Sequence, residues 1–216
     1  MNSTWIHTLW KPLYNKIILI CIVCGIIPLI IYNKWDIVLI INKYCTNELL
    51  DVFFMYYTNT ALGGIFVICT CICVFYSYRK ASMIALSGII ILITSIVLRQ
   101  IIFQGYPRPT AEIPHNLFFH IIDGFTYARH NSFPSGHTMS AFGLTAILSR
   151  FTSNKTYHIL LLLYAISIAY SRIYMLQHFY IDVYAGAIFG FLCTYFIYDL
   201  QMFKKIPDQG IIKKSN

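Results

Sequence analysis

His178 and Asp182 stand four residues apart, a spacing that sets a carboxylate beside an imidazole when both lie on one helix. Such a carboxylate fixes the tautomer and leaves the far ring nitrogen as a nucleophile. A structural His–Asp pair at a helix start has the same spacing. A second histidine, His137, closes the stretch Ser132-Phe133-Pro134-Ser135-Gly136-His137, which precedes an apolar run. Pro134 sets the backbone, Ser135 can cap a helix, and Gly136 lets another group approach the main chain. His137 then stands on the first helical turn, beside free N–H groups and the positive end of the dipole. That place suits an anion, phosphate most of all. An ordinary capped helix with a polar histidine at a membrane edge reads the same way. Arg99, Arg108 and Arg172 add planar forks of donors matched to phosphate oxygens, although each alone also fits a snorkelling residue at a helix end. Two histidines and three arginines around a helix N-terminus suggest phosphoryl transfer, in which a protein mostly positions groups and stabilises charge.

The elements that must position these residues are set by composition. Of 216 residues, 58% are hydrophobic and 11% charged, against about 25% charged in soluble domains. This describes an integral membrane protein with one all-α domain over residues 1–216. The net charge of +8 lies in short clusters between apolar runs. Such clusters read as topology signals and not as a nucleic-acid surface. Six of the seven cysteines lie inside apolar runs, and Cys69, Cys71 and Cys73 are spaced so that a helix points them apart. Neither a disulfide framework nor a zinc pattern follows.

Six transmembrane helices are expected, at 17–33, 52–78, 81–98, 135–149, 157–171 and 183–198. Trp5, Trp10, Lys11, Tyr14 and Lys16 form an interfacial lead-in. The first span is retained, because Lys34-Trp35-Asp36 follows it and no small-residue cleavage site does. Residues 34–51 mix charges with Ile and Leu and suggest a segment along the interface. The stretch 116–122 is apolar enough to lie on the membrane surface. Spans four and five are short, and Gly186 with Gly190 gives span six a small-xxx-small face for close packing. With both termini on one side, that side carries ten cations (Lys11, Lys16, Arg79, Lys80, Arg150, Lys155, Lys204, Lys205, Lys213 and Lys214) and only Asp199 and Asp208. The other side balances six cations with six carboxylates. The positive-inside rule then puts both termini in the cytoplasm, with the 99–137 loop and the 172–182 connection facing outward.

Pro134-Ser135-Gly136-His137, and Ser171-Arg172 followed after five residues by His178 and after three more by Asp182, resemble the second and third signatures of the type 2 phosphatidic acid phosphatase (PAP2) family. That family shares its site with vanadium-dependent haloperoxidases. The first signature, usually a lysine, six residues and Arg-Pro, is matched by Arg108-Pro109. Ile101 stands where the lysine would, and the nearest cation upstream is Arg99, with eight residues between. The resemblance implies a PAP2-like helical bundle acting on lipid phosphates or diphosphates. Undecaprenyl diphosphate, phosphatidylglycerol phosphate, phosphatidic acid and lipid A are the candidates. It implies that His178 forms a phosphohistidine, oriented by Asp182, and that His137 protonates the leaving oxygen and then helps activate water. It further implies that Arg108, Arg172, Ser135, the Gly136 amide and Arg99 hold the phosphoryl oxygens, with no metal or other cofactor. The compact chain resembles bacterial members, with the site at the outer face of the cytoplasmic membrane.

A phosphotransferase between lipids would carry the same motifs. A lipid transporter with a relic site would need charges inside its spans, which are almost free of them. A soluble haloperoxidase is excluded by the hydropathy. Arg129 and His130 fit either a second phosphate or headgroup or a solvated loop end. His115 and His120 read as interfacial, Glu112 and Asp123 as facing water, and His7 and His158 as boundary residues on the cytoplasmic side.

Overall fold

Pro12, extended at φ −76°, opens helix α1 (Leu13–Cys24), and α2 (Ile26–Ile31) continues it past Gly25. The computed structural model describes residues 12–113 and 118–212; the expectations placed on Trp5, His7, Trp10, Lys11, His115, Asn116, Lys213 and Lys214 lie outside these. Helix α3 (Asp36–Tyr44) follows a turn in which the Asp36 carboxylate accepts from the Asn33 N–H at 2.7 Å. Asn47 caps α4 (Glu48–Tyr57), accepting from the Leu50 N–H at 2.9 Å. A 3-10 turn, Thr58–Ala61, leads through Leu62 and Gly63 to α5 (Gly64–Val74). Ser77 caps α6 (Tyr78–Ile96), which runs on as a π-helical stretch, Val97–Ile102. A 3-10 turn at Pro109–Ala111 is the regular element of the long loop. Helices α7 (Gly136–Ser149), α8 (Lys155–Tyr174) and α9 (Tyr180–Tyr195) then form the centre, and a short α10 (Gln201–Lys204) ends the bundle.

Among the described residues there are helices and no strand. Four helical stretches are long and apolar enough to cross a bilayer: Leu13–Ile31, Tyr78–Ile102, Lys155–Tyr174 and Tyr180–Asp199. A fifth arises if Glu48–Ala61 and Gly64–Val74, bent by 58°, count as one. The remaining expected span, α7, has 14 residues, about 21 Å of rise against a hydrocarbon core of about 30 Å. It is enclosed by its neighbours, and eleven of its residues are buried, Thr138 to Ile147 and Ser149. The outer helices turn Ile30, Val67, Leu92 and Leu163 outward, as lipid contact requires.

The close approach of α7 and α9 is made by glycine. A Cβ at Gly186 would stand 2.8 Å from the Ser135 carbonyl, and one at Gly190 would meet the Met139 backbone, its Cα at 2.9 Å. The small-xxx-small face thus packs against the helix that opens with Ser135-Gly136-His137.

The structure corrects one expectation. The second span begins at Glu48, not 52, and is broken between Ala61 and Gly64, because Asn47 supplies a cap upstream of the uncharged run. Within residues 34–51, Val38 and Asn42 are buried against the bundle. The described part of 116–122 is irregular, with Phe118 fully exposed. Charged groups gather at both ends of the helices. Arg79, Lys80, Arg150, Lys204 and Asp208 line one cavity of about 370 Å³. Lys34–Glu112 and His120–Asp51 pair at the opposite ends of the helices, at 2.5 and 2.6 Å.

Candidate active site

The third signature occupies the end of α8, a five-residue link and the start of α9. Leu176, at φ 54°, turns the chain into the left-handed region. The Gln177 and His178 N–H groups then both donate to the Arg172 carbonyl, at 3.0 and 3.2 Å. His178 precedes α9, so its neighbourhood with Asp182 does not come from one helix face as the spacing suggested. The link brings the ring back over the helix start instead. His178 Nδ1 is 3.4 Å from Asp182 Oδ2 and 3.3 Å from Ser132 Oγ. The same carboxylate oxygen accepts from Ser132 Oγ at 2.5 Å and from the Phe179 N–H at 2.9 Å. All three side chains are almost wholly buried. The carboxylate is therefore fixed from three sides, and the imidazole Nε2 is left clear of it.

The second signature reaches this pair through the backbone. The Ser135 N–H donates to the Asp182 carbonyl at 3.0 Å, tying the N-termini of α7 and α9 together. Ser135 caps α7, and its Oγ accepts from the Thr138 hydroxyl at 2.9 Å. A Cβ at Gly136 would stand 2.9 Å from Arg99 Nη1, so glycine there is what lets a guanidinium lie against the helix start. His137 lies within electrostatic reach of Arg172, His178, Arg99 and Arg108.

Arg99 reaches this point from the π-helical stretch, where the Phe103 N–H bonds the Leu98 carbonyl five residues back at 2.8 Å. Each such turn holds about one residue more than an α turn, and Arg99 lies within it. Arg99 Nε donates to the Asn131 carbonyl at 3.2 Å. The loop is zipped across its neck: Arg108 N–H to Arg129 carbonyl at 2.8 Å, and Ser132 N–H to Tyr106 carbonyl at 3.0 Å. Asn131, at φ 56°, turns the chain into the second signature and takes the Gly105 N–H on its side chain. Arg108 is buried, with Nε on the His130 carbonyl at 3.0 Å and Nη1 on Gln177 Oε1 at 2.7 Å. Arg129 and His130 thus serve the site through their carbonyls, while their side chains are exposed. Arg172 Nη1 donates to Thr58 Oγ1 at 2.9 Å.

His120 is not a bare interfacial group. It bonds Asp51, which also accepts from the Tyr174 hydroxyl at 2.6 Å, and this fastens the long loop to α4 and to the end of α8. Glu112 pairs with Lys34. His158 is buried under the end of α7, its Nε2 3.0 Å from the carbonyls of Ser149 and Thr152. Thr58 and Gln177 were not anticipated. Thr58 lies in an uncharged span and has no signal in the sequence. Gln177 lies inside the third signature, next to His178.

Electrostatically the cluster is cationic. Burial, and then Arg108, Arg172 and Arg99, hold the His178 imidazole well below its usual range. Burial and Arg99 bring Arg108 down to about 10, with Asp182 acting the other way. Three unlike-placed guanidiniums against one carboxylate leave positive charge that an oxyanion would neutralise. Among the described residues, Arg172 Nε, Gln177 Nε2 and Asp182 Oδ1 are buried without a hydrogen-bond partner. A cleft of about 170 Å³ runs between the bent α4–α5 pair and α6, with Arg99, Gly136 and His137 along it. Leu62 and Leu92, which also line it, are 47% and 58% exposed on the apolar flank. A larger cavity of about 500 Å³ lies at the far end of the bundle, lined by Lys16, Arg150 and Lys155, and holds no signature residue.

A model of the PAP2 superfamily matches residues 81–206, and the chain belongs to that superfamily. No curated protein sequence matches it significantly. The crystal structure of Aquifex aeolicus LpxE is similar, with a TM-score of 0.67 and 28% identity, over 76% of this chain and 94% of that one. A transmembrane PAP2 type phosphatidylglycerolphosphate phosphatase from Bacillus subtilis shares the fold, with a TM-score of 0.52 and 20% identity, over 88% of this chain and 95% of that one.

Proposed function

We propose that this protein is a membrane lipid phosphatase that cleaves a phosphate or diphosphate through a phosphohistidine. The observation that carries the reading is the convergence of Arg99, Arg108, Arg172, His137 and His178, from separate segments, at the glycine start of α7. Membership of the PAP2 superfamily supports it. The apolar cleft beside His137 favours a lipid that reaches the site sideways from the bilayer.

In this mechanism His178 keeps its Nδ1 proton toward Asp182 and Ser132, so the Nε2 lone pair attacks phosphorus in line. Asp182 supports the charge that develops on the ring. His137 donates a proton to the leaving lipid oxygen and then takes one from the water that cleaves the phosphohistidine. Arg99, Arg108 and Arg172 hold the non-bridging oxygens, with the Ser135 hydroxyl and the Gly136 amide. Fixed charges in a buried site are effective here, because positioning and electrostatics supply most of the rate in phosphoryl transfer.

The reading includes a single domain of six spans, with α7 as an enclosed sixth. Both termini face the cytoplasm and the site faces outward, supported by the basic groups gathered at the far ends of the helices. The two bacterial neighbours favour a bacterial cytoplasmic membrane. The test is release of inorganic phosphate from a panel of lipid monophosphates and diphosphates by purified protein. His178→Ala is expected to fall to background. Full release by that variant overturns the mechanism, and phosphate recovered only on a lipid acceptor overturns hydrolysis.

A further inference from the structure

We propose that Gln177 is a positioning residue for Arg108, fixing which edge of the guanidinium faces the phosphoryl group. The inference rests on the phosphatase reading above.

Gln177 is 3% exposed and lies in the link between α8 and α9. Its N–H is held by the Arg172 carbonyl at 3.0 Å, and the next residue is His178. Its side-chain Oε1 accepts from Arg108 Nη1 at 2.7 Å, and its own carbonyl accepts from the same nitrogen at 3.3 Å. The His130 carbonyl takes Arg108 Nε. A guanidinium has five N–H groups, one on Nε and two on each terminal nitrogen. The bond at Nε alone is a single anchor, about which the terminal nitrogens can still tilt. The two bonds to Gln177 add a second anchor at Nη1, which leaves the Nη2 edge for a ligand.

The side chain has no competing duty. Among the described residues Gln177 Nε2 is buried with no hydrogen-bond partner, so the carboxamide is engaged by Arg108 through its oxygen. An apolar residue would fill this volume without leaving a donor unmade, which is the costly half of a buried amide. One residue thereby joins the first signature, through Arg108, to the third, through Arg172 and His178.

The test is a double-mutant cycle of Gln177→Met and Arg108→Lys in purified protein, read by kcat/KM for phosphate release and by the inhibition constant for vanadate. Gln177→Met is expected to lower kcat/KM about tenfold to a hundredfold, the scale set by a small misplacement of a binding group, and to weaken vanadate in parallel. Lysine cannot donate the paired bonds, so in the Arg108→Lys background the same change should cost less than about twofold. Equal losses in both backgrounds, or a Gln177→Met enzyme within twofold of the parent, overturn the proposal. If the methionine variant does not fold, Gln177→Leu carries the same cycle. His178→Ala in the same assay separates the two readings. Retained release by that variant defeats the phosphatase mechanism, whereas lost release with an unaffected Gln177 variant defeats this inference alone.

Discussion

Arg172 Nη1 donates to Thr58 Oγ1 across 2.9 Å, so the bent α4–α5 pair holds an arginine of the third signature. Ser171 Oγ bonds the same hydroxyl at 3.3 Å. One residue of an uncharged span therefore fixes the end of α8 at the point where the chain turns toward His178.

Thr58→Val keeps the volume and removes the hydroxyl. A hydrogen bond to a charged group contributes about 1.5–3 kcal/mol, so kcat/KM should fall by roughly tenfold or more. Vanadate should weaken with it, and the melting temperature in detergent should fall as well, because the lost bond is buried. Thr58→Ser should restore most of the loss. An active valine variant would show that Arg172 is held by other means.

Two glycines separate folding from chemistry. A Cβ at Gly190 would fall on the Met139 backbone, which cannot give way, so Gly190→Ala should destabilise by about 1–3 kcal/mol through overpacking. A Cβ at Gly136 would meet the far end of Arg99 at 2.9 Å. That side chain can swing aside, so Gly136→Ala should melt near the parent temperature yet lose phosphate release. Thermal melts and activity on the same two preparations check this, and the opposite pattern would count against the placement of Arg99.

Acid should loosen the native state through His178. Its imidazole is held well below the usual range by burial, and then by Arg108, Arg172 and Arg99. As pH falls through about 6.5 the unfolded chain takes up a proton there, while the native chain does not until the pH is far lower. Stability is thus complete above that value and declines below it, by up to about 1.4 kcal/mol per pH unit for this one group. Melting curves of the parent and of His178→Gln from pH 7.5 to 5 should show the flatter profile in the variant. Parallel profiles would mean that His178 titrates as an ordinary histidine.

The signatures made the cluster legible because each carries its chemistry in fixed residue types: the Ser135 cap, the Gly136 gap, the His178–Asp182 spacing. Arg99 was legible as a cation, but its reach was not, since a π turn leaves no mark on composition. The route by which Asp182 meets His178 was misread for a related reason: spacing suggests a helix, and the left-handed turn at Leu176 is set by tertiary packing. The second span was misplaced because an uncharged run hides both its cap, Asn47, and its bend. Thr58 lay in that same run, where a hydroxyl has no partner visible to sequence.

The glycine seam between α7 and α9 also bears on how this chain can change over time. Because backbone there meets backbone, the spacing of the two helices that open at His137 and just after His178 is independent of side-chain size elsewhere. Drift should be freely tolerated on outward residues such as Ile30, Val67 and Leu163, where a new side chain meets only lipid. It should be nearly forbidden at Gly186 and Gly190, where the smallest addition wedges the helices apart. A random-substitution library screened for phosphate release would then show, beside the catalytic positions, strict intolerance in two residues that touch no substrate.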